Sequence, residues 1–259
     1  MFASPGAIAF QLGPIALRWY GLLIAAGVLL GAVLVRREAT RHRLDPDRLL
    51  NVVVLAVLTG LVGARLYYVG FRWEHYAANP LKVFALWEGG LAIHGGLIAG
   101  GLATILYCRH TGFSIPVTTD IFVPAIALGQ AIGRWGNFFN QEAFGIPTDL
   151  PWKLYIDPDY RPPHLAGFEY FHPTFLYESL WNLLVFLILW FGLRKRLEDR
   201  PGALTLCYLA LYSLGRFFTE ALRIDSLMLG SLRVAQLVSL VLFLGATLGL
   251  LLLRWKPAK

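Results

Sequence analysis

VAQLVSLVLFLGATLGLLLL, residues 234–253, runs for 20 residues without a charge, and Arg233 and Arg254 bracket it. About 20 apolar residues is the length of a helix that crosses a bilayer. WYGLLIAAGVLLGAVLV, residues 19–35, repeats the pattern over 17 residues. A chain in hydrocarbon must satisfy its own backbone polar groups, and a helix does so within one segment. These two stretches set the class as an all-α integral membrane protein. Composition agrees: 57% of the 259 residues are hydrophobic and 15% charged, with a mean hydropathy of +0.58. Soluble domains hold roughly 45–50% apolar and about 25% charged residues. Disorder, a disulfide scaffold and a nucleic-acid tail are thereby excluded. Cys108 and Cys207 form no CxxC and no ligand cluster, so no structural metal is expected. The first basic residue is Arg18, so the charged start of a signal peptide is missing and the first apolar helix is expected in the mature protein.

Five further stretches read as spans carrying polar cargo: about 49–71 with Arg65, 89–108 with His94, 117–133 ending at Arg134, 174–193 with Glu178, and 203–222 with Arg216 and Glu220. Asp120 and Pro124 interrupt the start of the third. About seven transmembrane helices are therefore expected, in a single polytopic membrane domain over 1–259. Orientation follows from Lys and Arg. Arg36, Arg37, Arg41, Arg43, Arg48, Arg109, Arg194, Lys195, Arg196, Arg200, Arg254, Lys256 and Lys259 share one side. The opposite, longer loops hold mainly Arg72, Lys82, Lys153, Arg161, Arg223 and Arg233. The N-terminus is thus expected outside and the C-terminus in the cytoplasm. The net charge of +7 and pI of 9.6 read as this topology signal, with no nucleic-acid partner expected. Residues 134–173 become an extracytoplasmic cap, with six of the 14 prolines between Pro147 and Pro173. No fixed-period repeat or inverted pair of halves is evident.

A charge at a helix centre costs roughly 2.5–3.5 kcal/mol on insertion scales, so retained ones need partners, water or a ligand. GRWGNFFNQEAFG, residues 133–145, is the densest polar stretch, setting Arg134, Asn137, Asn140, Gln141 and Glu142 among four aromatic residues. Arginine offers a planar fork to phosphate, and aromatics suit the headgroup level. The bland alternative is an amphipathic hairpin with snorkelling ends. Tyr212, Arg216 and Glu220 recur at i, i+4 and i+8, with Arg223 beyond, along one helical face. Two arginines for one glutamate there imply a positive surplus, beside the alternative of an internal ion pair. His94 lies in GGLAIHGGLIAGG, residues 89–101, where small residues favour close helix packing. Its imidazole is either a titratable working group or a packing residue bonded to a carbonyl. Tyr20 and Arg18 open the first span. Arg65 and Glu178 are charges whose pairing across helices is open. His172, ahead of Pro173, reads as a loop or helix-start residue, and His42, His75, His110 and His164 have no assigned role.

LRWYG (17–21), GGLAIHGGLIAG (89–100), GRWGNFFNQEAFG (133–145), FHPTFLYES (171–179) and LGRFFTEALRID (214–225) together resemble bacterial prolipoprotein diacylglyceryl transferase, in order and spacing, over essentially the whole chain. Phe175 departs from it, standing where that family usually has Gln. The Pro-rich stretch 147–170 carries no strong match. The resemblance implies transfer of the diacylglyceryl group of phosphatidylglycerol to the lipobox cysteine thiol of a prolipoprotein signal peptide, giving a thioether and glycerol phosphate. It implies action at the outer face of the cytoplasmic (inner) membrane, and no metal or organic cofactor.

The residues suit that chemistry. A thiol of pKa near 8.5 needs a base at neutral pH, and His94 is the candidate by type. Arg134 and Arg216 would stabilise charge growing on the leaving oxygen. Asn137 would bind the phosphate or the distal glycerol, Glu220 would orient Arg216 or Arg223, and Tyr20 and Tyr212 would position the headgroup. Motif matching adds Asn140, Glu142 and Gly145. Cys108 and Cys207 fall on the cytoplasmic side and are not expected as nucleophiles. A small-anion transporter would also place Arg and His in a membrane cavity, but predicts polarity reaching both faces and internal symmetry. Another phospholipid-headgroup transferase would want an Asp cluster for a metal, which the sequence lacks.

Overall fold

The computed structural model describes residues 2–13, 15–85 and 89–254. Lys256 and Lys259, part of the charge count above, lie outside them. The described chain is predominantly helical: α1 (Trp19–Arg41), α2 (Pro46–Phe71), a short α3 (Trp73–Ala77), α4 (Ile93–Thr111), α5 (Ile115–Asn140), α6 (Thr174–Leu187), α7 (Ala203–Leu222) and α8 (Val234–Arg254). A π-helical turn, Ile188–Leu193, continues α6. Among the described residues, five segments are long and apolar enough to cross a membrane: α1, α2, α5, Thr174–Leu193 and Val234–Leu253. Five of the seven expected spans meet this measure. The other two exist as helices, but α4 carries His94, Arg109 and His110, and α7 carries Arg216 and Glu220.

Two compact units emerge, one from the residues up to Leu34 together with Thr119 onward, the other from Val35–Thr118. In the first, α1 runs antiparallel along α5 through small residues. A Cβ added to Gly27 would sit 3.4 Å from the Gly129 Cα, Gly133 meets Ile24, and the Tyr20 ring closes over Gly136. Val123 and Ala127 of α5, Val185 and Leu189 following from α6, and Leu204 and Tyr208 of α7 form a buried core. Asp120 is no helix breaker: α5 runs through it and through Pro124. Its carboxylate accepts from the backbone N–H of Gly202 and Thr205 (both 2.7 Å) and from the Thr205 hydroxyl (2.6 Å). It therefore caps the start of α7 from a different helix, satisfying donors that the first turn leaves unpaired.

Residues 134–140, counted with the expected cap, continue α5, which runs to Asn140. Gln141 (φ 51°) and Ala143 (φ 56°) then turn the chain in the left-handed region. β4 (Leu154–Tyr155) pairs antiparallel with β5 (Tyr170–Phe171) and parallel with β1 (Phe2–Ala3). Phe138, Phe144, Leu154, Ile156, Phe171 and Phe175 bury one another beneath the segment. Phe175 is thus a core aromatic on α6. Small hairpins were not anticipated by the all-α reading: β2 (Ile8–Leu12) with β3 (Ile15–Arg18) ahead of α1, and β6 (Met228–Leu229) with β7 (Leu232–Arg233) ahead of α8.

In the second unit, α2 and α4 meet backbone to backbone. A Cβ on Gly63 would lie 2.6 Å from the Gly95 carbonyl oxygen, and one on Gly100 would lie 3.0 Å from that of Ala56. Arg65 is 4% exposed and is held by backbone carbonyls of its own unit. Its Nε donates to Val83 O (2.8 Å), Nη1 to Gly89 O (2.5 Å) and Gly90 O (3.0 Å), and Nη2 to Lys82 O (2.6 Å) and Ala85 O (3.2 Å). That satisfies all five guanidinium donors and ties residues 82–85 and 89–90 to α2.

Candidate active site

Glu178, one turn into α6 and only 5% exposed, is the hub of the first unit's polar cluster. Its Oε2 lies 2.5 Å from Arg134 Nε of α5, and its Oε1 lies 2.5 Å from Arg216 Nη1 of α7. Thr219 donates to the same Oε1 (3.3 Å), and Arg223 Nη1 stands 3.7 Å away. Arg216 Nη2 pairs at 2.5 Å with Glu220, one turn along α7 and almost fully buried. The i, i+4 spacing thus gives the internal ion pair that the sequence left open as an alternative. Arg223 instead holds Asp225, Nη2 to Oδ2 at 2.5 Å and Nε to Oδ1 at 2.8 Å. Burial opposes the Arg223 charge, yet Asp225, with Glu178 and Glu220 further off, raises its pKa above the ordinary value. Arg233 donates to the carbonyls of Glu220 and Arg223, closing the end of α7.

Three guanidiniums (Arg134, Arg216, Arg223) face three carboxylates (Glu178, Glu220, Asp225), so the positive surplus counted on α7 alone is cancelled. Directed donors remain. Arg134, 23% exposed in its side chain, spends only Nε on Glu178, and its terminal nitrogens have no partner among the described residues. With Arg216, Tyr212, Trp181 and Asn182 it lines a small pocket beside Glu178. Tyr212 stacks on Tyr208 (5.8 Å), whose hydroxyl donates to Gln130 (3.0 Å).

The last turns of α5 carry the rest of the motif. Asn137 and Asn140 both donate to Glu142 Oε1, at 2.9 and 3.2 Å. Tyr20 packs on Gly136, and Trp19 stacks on Phe139 (4.8 Å). Gln141 is structural, its amide donating to Asp157 (2.5 Å) and accepting from the Asp157 N–H (2.8 Å). Gly145 holds a seam together. Its N–H donates to His172 O (3.0 Å) and Ile146 N–H to Leu222 O (2.8 Å), and a Cβ would stand 2.8 Å from His172 Cβ and 3.0 Å from Leu222 O. Glycine lets the chain cross that close to Arg223. His172 lies just before α6, its Nδ1 3.2 Å from the Tyr177 hydroxyl, and burial pushes its pKa down.

The structure therefore brings Arg134, Tyr212, Arg216, Glu220 and Arg223 around Glu178, a residue that sequence reasoning left out of the site. Only its place at an apolar helix start marked it. His94 belongs to the second unit, in the first turn of α4, exposed and 6.2 Å from the Tyr67 ring. It bonds to no carbonyl among the described residues, so the packing role pictured for it has no hydrogen bond behind it.

A sequence profile of the family described as prolipoprotein diacylglyceryl transferase matches residues 7–252. The chain belongs to that family. Relatives called phosphatidylglycerol–prolipoprotein diacylglyceryl transferase include one from Synechococcus elongatus, 54% identical over 253 residues, covering 96% of this chain and 88% of its own. One from Gloeobacter violaceus is 51% identical over 255 residues, covering 98% and 94%. One from Trichormus variabilis is 51% identical over 259 residues, covering 98% and 91%. The matched range includes every residue of the Glu178 cluster.

Proposed function

We infer that this chain moves the diacylglyceryl group of phosphatidylglycerol onto the cysteine thiol of a prolipoprotein signal peptide. Family membership and the naming of its relatives support the reaction. The observation that carries the site is Arg134, fixed through Nε by Glu178 while its two terminal nitrogens, beside Arg216, make no hydrogen bond among the described residues. Those nitrogens are the fork that a phosphodiester accepts bidentately. In the reaction the thiol proton passes to a base, the sulfur attacks the glycerol carbon, a C–S bond forms and the C–O bond to phosphate breaks. Glycerol phosphate leaves with the negative charge, and the two guanidiniums stabilise that charge as it grows. The donors are already held in place by Glu178 and Glu220, so little reorganisation is needed at that moment. His94 supplies the base in this reading, its ring exposed and without a hydrogen-bond partner among the described residues. Glu142 holds Asn137 and Asn140 ready at the headgroup end, and Tyr20 and Tyr212 flank it. α4 and α7 are counted with the five apolar helices as crossing the inner membrane, seven in all, with the cap and the arginines toward the outer face.

The test is single-turnover transfer of labelled diacylglyceryl from phosphatidylglycerol to a lipobox peptide. Losing one transition-state donor costs about 10²–10³ in rate. Arg134→Lys keeps the charge but not the fork and should lose that factor while inserting normally. Arg216→Ala should be as poor, and the double variant far less than multiplicatively worse, because the pair acts as a unit. Wild-type rates in both single variants would remove the arginines from catalysis.

A further inference from the structure

Asn182 stands one turn beyond Glu178 on α6 and is 3% exposed, yet its Oδ1 is buried without a hydrogen-bond partner among the described residues. Buried acceptors of this kind are rare in native structures. The side chain lines the same pocket as Arg134 and Arg216. Both Glu178 oxygens hold arginines, Trp181 Nε1 donates to Leu211 O at 2.9 Å, and the terminal nitrogens of Arg134, open in the same pocket, make no hydrogen bond to Asn182. Asn182 Oδ1 is thus an acceptor kept for a donor that enters with a ligand. Phosphatidylglycerol has many acceptors, in its phosphate and ester oxygens, but its hydrogen-bond donors are the hydroxyls of the distal glycerol. We propose that Asn182 is a specificity residue, accepting a hydrogen bond from a hydroxyl of the glycerol headgroup once the arginines hold the phosphate. This rests on the reading of the arginine pocket as the phosphate site. The same acceptor chemistry would also suit a bound water, and the two sources differ in what the enzyme selects.

The probe is a pair of donors with identical acyl chains, phosphatidylglycerol and phosphatidylpropanol, the latter lacking both headgroup hydroxyls. Each is given to the full-length enzyme with a lipobox peptide, and kcat/KM is measured. Wild type should prefer phosphatidylglycerol by about tenfold, the factor of one neutral hydrogen bond, or by more if the acceptor is left unpaired. Asn182→Leu should bring the ratio close to one, losing rate on phosphatidylglycerol and keeping it on phosphatidylpropanol. The ratio within one preparation is independent of the folded fraction, and Asn182→Ala gives the same reading if the leucine variant inserts poorly. A wild-type ratio near one, an unchanged ratio in the variants, or an equal loss on both donors would overturn the proposal and leave a water-holding or packing residue. Failure of the phosphate site itself looks different: Arg134→Lys would then keep wild-type turnover on both donors.

Discussion

Glu178 is where the residues of the cluster stop acting one by one. A buried carboxylate holding two arginines costs desolvation on every charge, and removing one partner of such a group typically destabilises by about 3–5 kcal/mol. Glu178→Gln keeps the shape and one acceptor while returning a positive surplus to the pocket. The lipid phosphate should then be held at least as well in the ground state, but by guanidiniums no longer fixed. The expected outcome is a lower thermal midpoint, a kcat reduced by at least about 10² and a KM that does not rise. An unchanged kcat with a raised KM would make Glu178 a simple part of the binding surface. His94 gives the complementary case. A general base is worth about 10²–10⁴ in rate. His94→Gln should lose that much turnover without losing phosphatidylglycerol binding, and raising the pH should recover part of it, because the thiol ionises near pH 8.5 unaided. Normal turnover of a folded His94→Gln protein at neutral pH would assign the proton elsewhere. Arg134 was legible in the sequence because charge at an apolar span is costly, and Tyr212, Arg216 and Glu220 because their spacing names one helical face. Glu178 was visible as a charge but not as a hub, since its partners lie on two other helices.

Helix contacts in this chain are made largely by what is missing from the side chains. Gly63 of α2 and Gly95 of α4 touch at the backbone, whereas a Cβ on Gly101, in the same α4, would meet nothing within 4 Å. The pair allows opposing effects to be weighed. Alanine gains about 0.8–1 kcal/mol over glycine in helix propensity, but overpacking a tight contact costs about 1–3 kcal/mol or more. A backbone oxygen cannot rotate aside, so the cost should win at Gly63. Gly63→Ala is expected to lower the thermal midpoint of the purified protein, and Gly101→Ala to leave it equal or raise it. The reverse order would mean that α2 and α4 are not in backbone contact. The glycine run around His94 announced this close packing through its composition. The length of α5 was not announced, because Arg134, Asn137 and Asn140 look like loop residues, and the Phe138 that anchors this turn in the aromatic core has its partners in the 141–175 region. The two-residue strands have no periodicity to read, and Asp120 looked like an interruption because its partners, Gly202 and Thr205, belong to another helix.

Helix count and charge placement constrain each other over the whole chain. If only the five apolar segments crossed, an odd number of crossings would still leave the termini on opposite sides, but α4 and α7 would have to lie outside the bilayer core. Arg109 would then share a side with the 72–92 region, and 194–200 would share one with Arg223 and Arg233, erasing the Lys/Arg asymmetry that orients membrane proteins. With α4 and α7 crossing, the basic loops at 36–48 and 194–200 fall together, and the 141–173 segment lies opposite them. The Glu178 cluster argues the same way: Arg216 and Glu220 neutralise each other on one face of α7, and Arg134 and Glu178 do so between α5 and α6, so the charges no longer bar the helices from hydrocarbon. Reporter fusions after residue 160 should therefore read extracytoplasmic, and those after residue 198 and at the C-terminus cytoplasmic. A fusion in the 112–114 turn, between α4 and α5, separates the two counts most sharply: it reads cytoplasmic if α4 crosses and extracytoplasmic if it does not. A cytoplasmic reading at 160 would overturn the topology and move the arginine pocket to the wrong face for a prolipoprotein already threaded through the membrane.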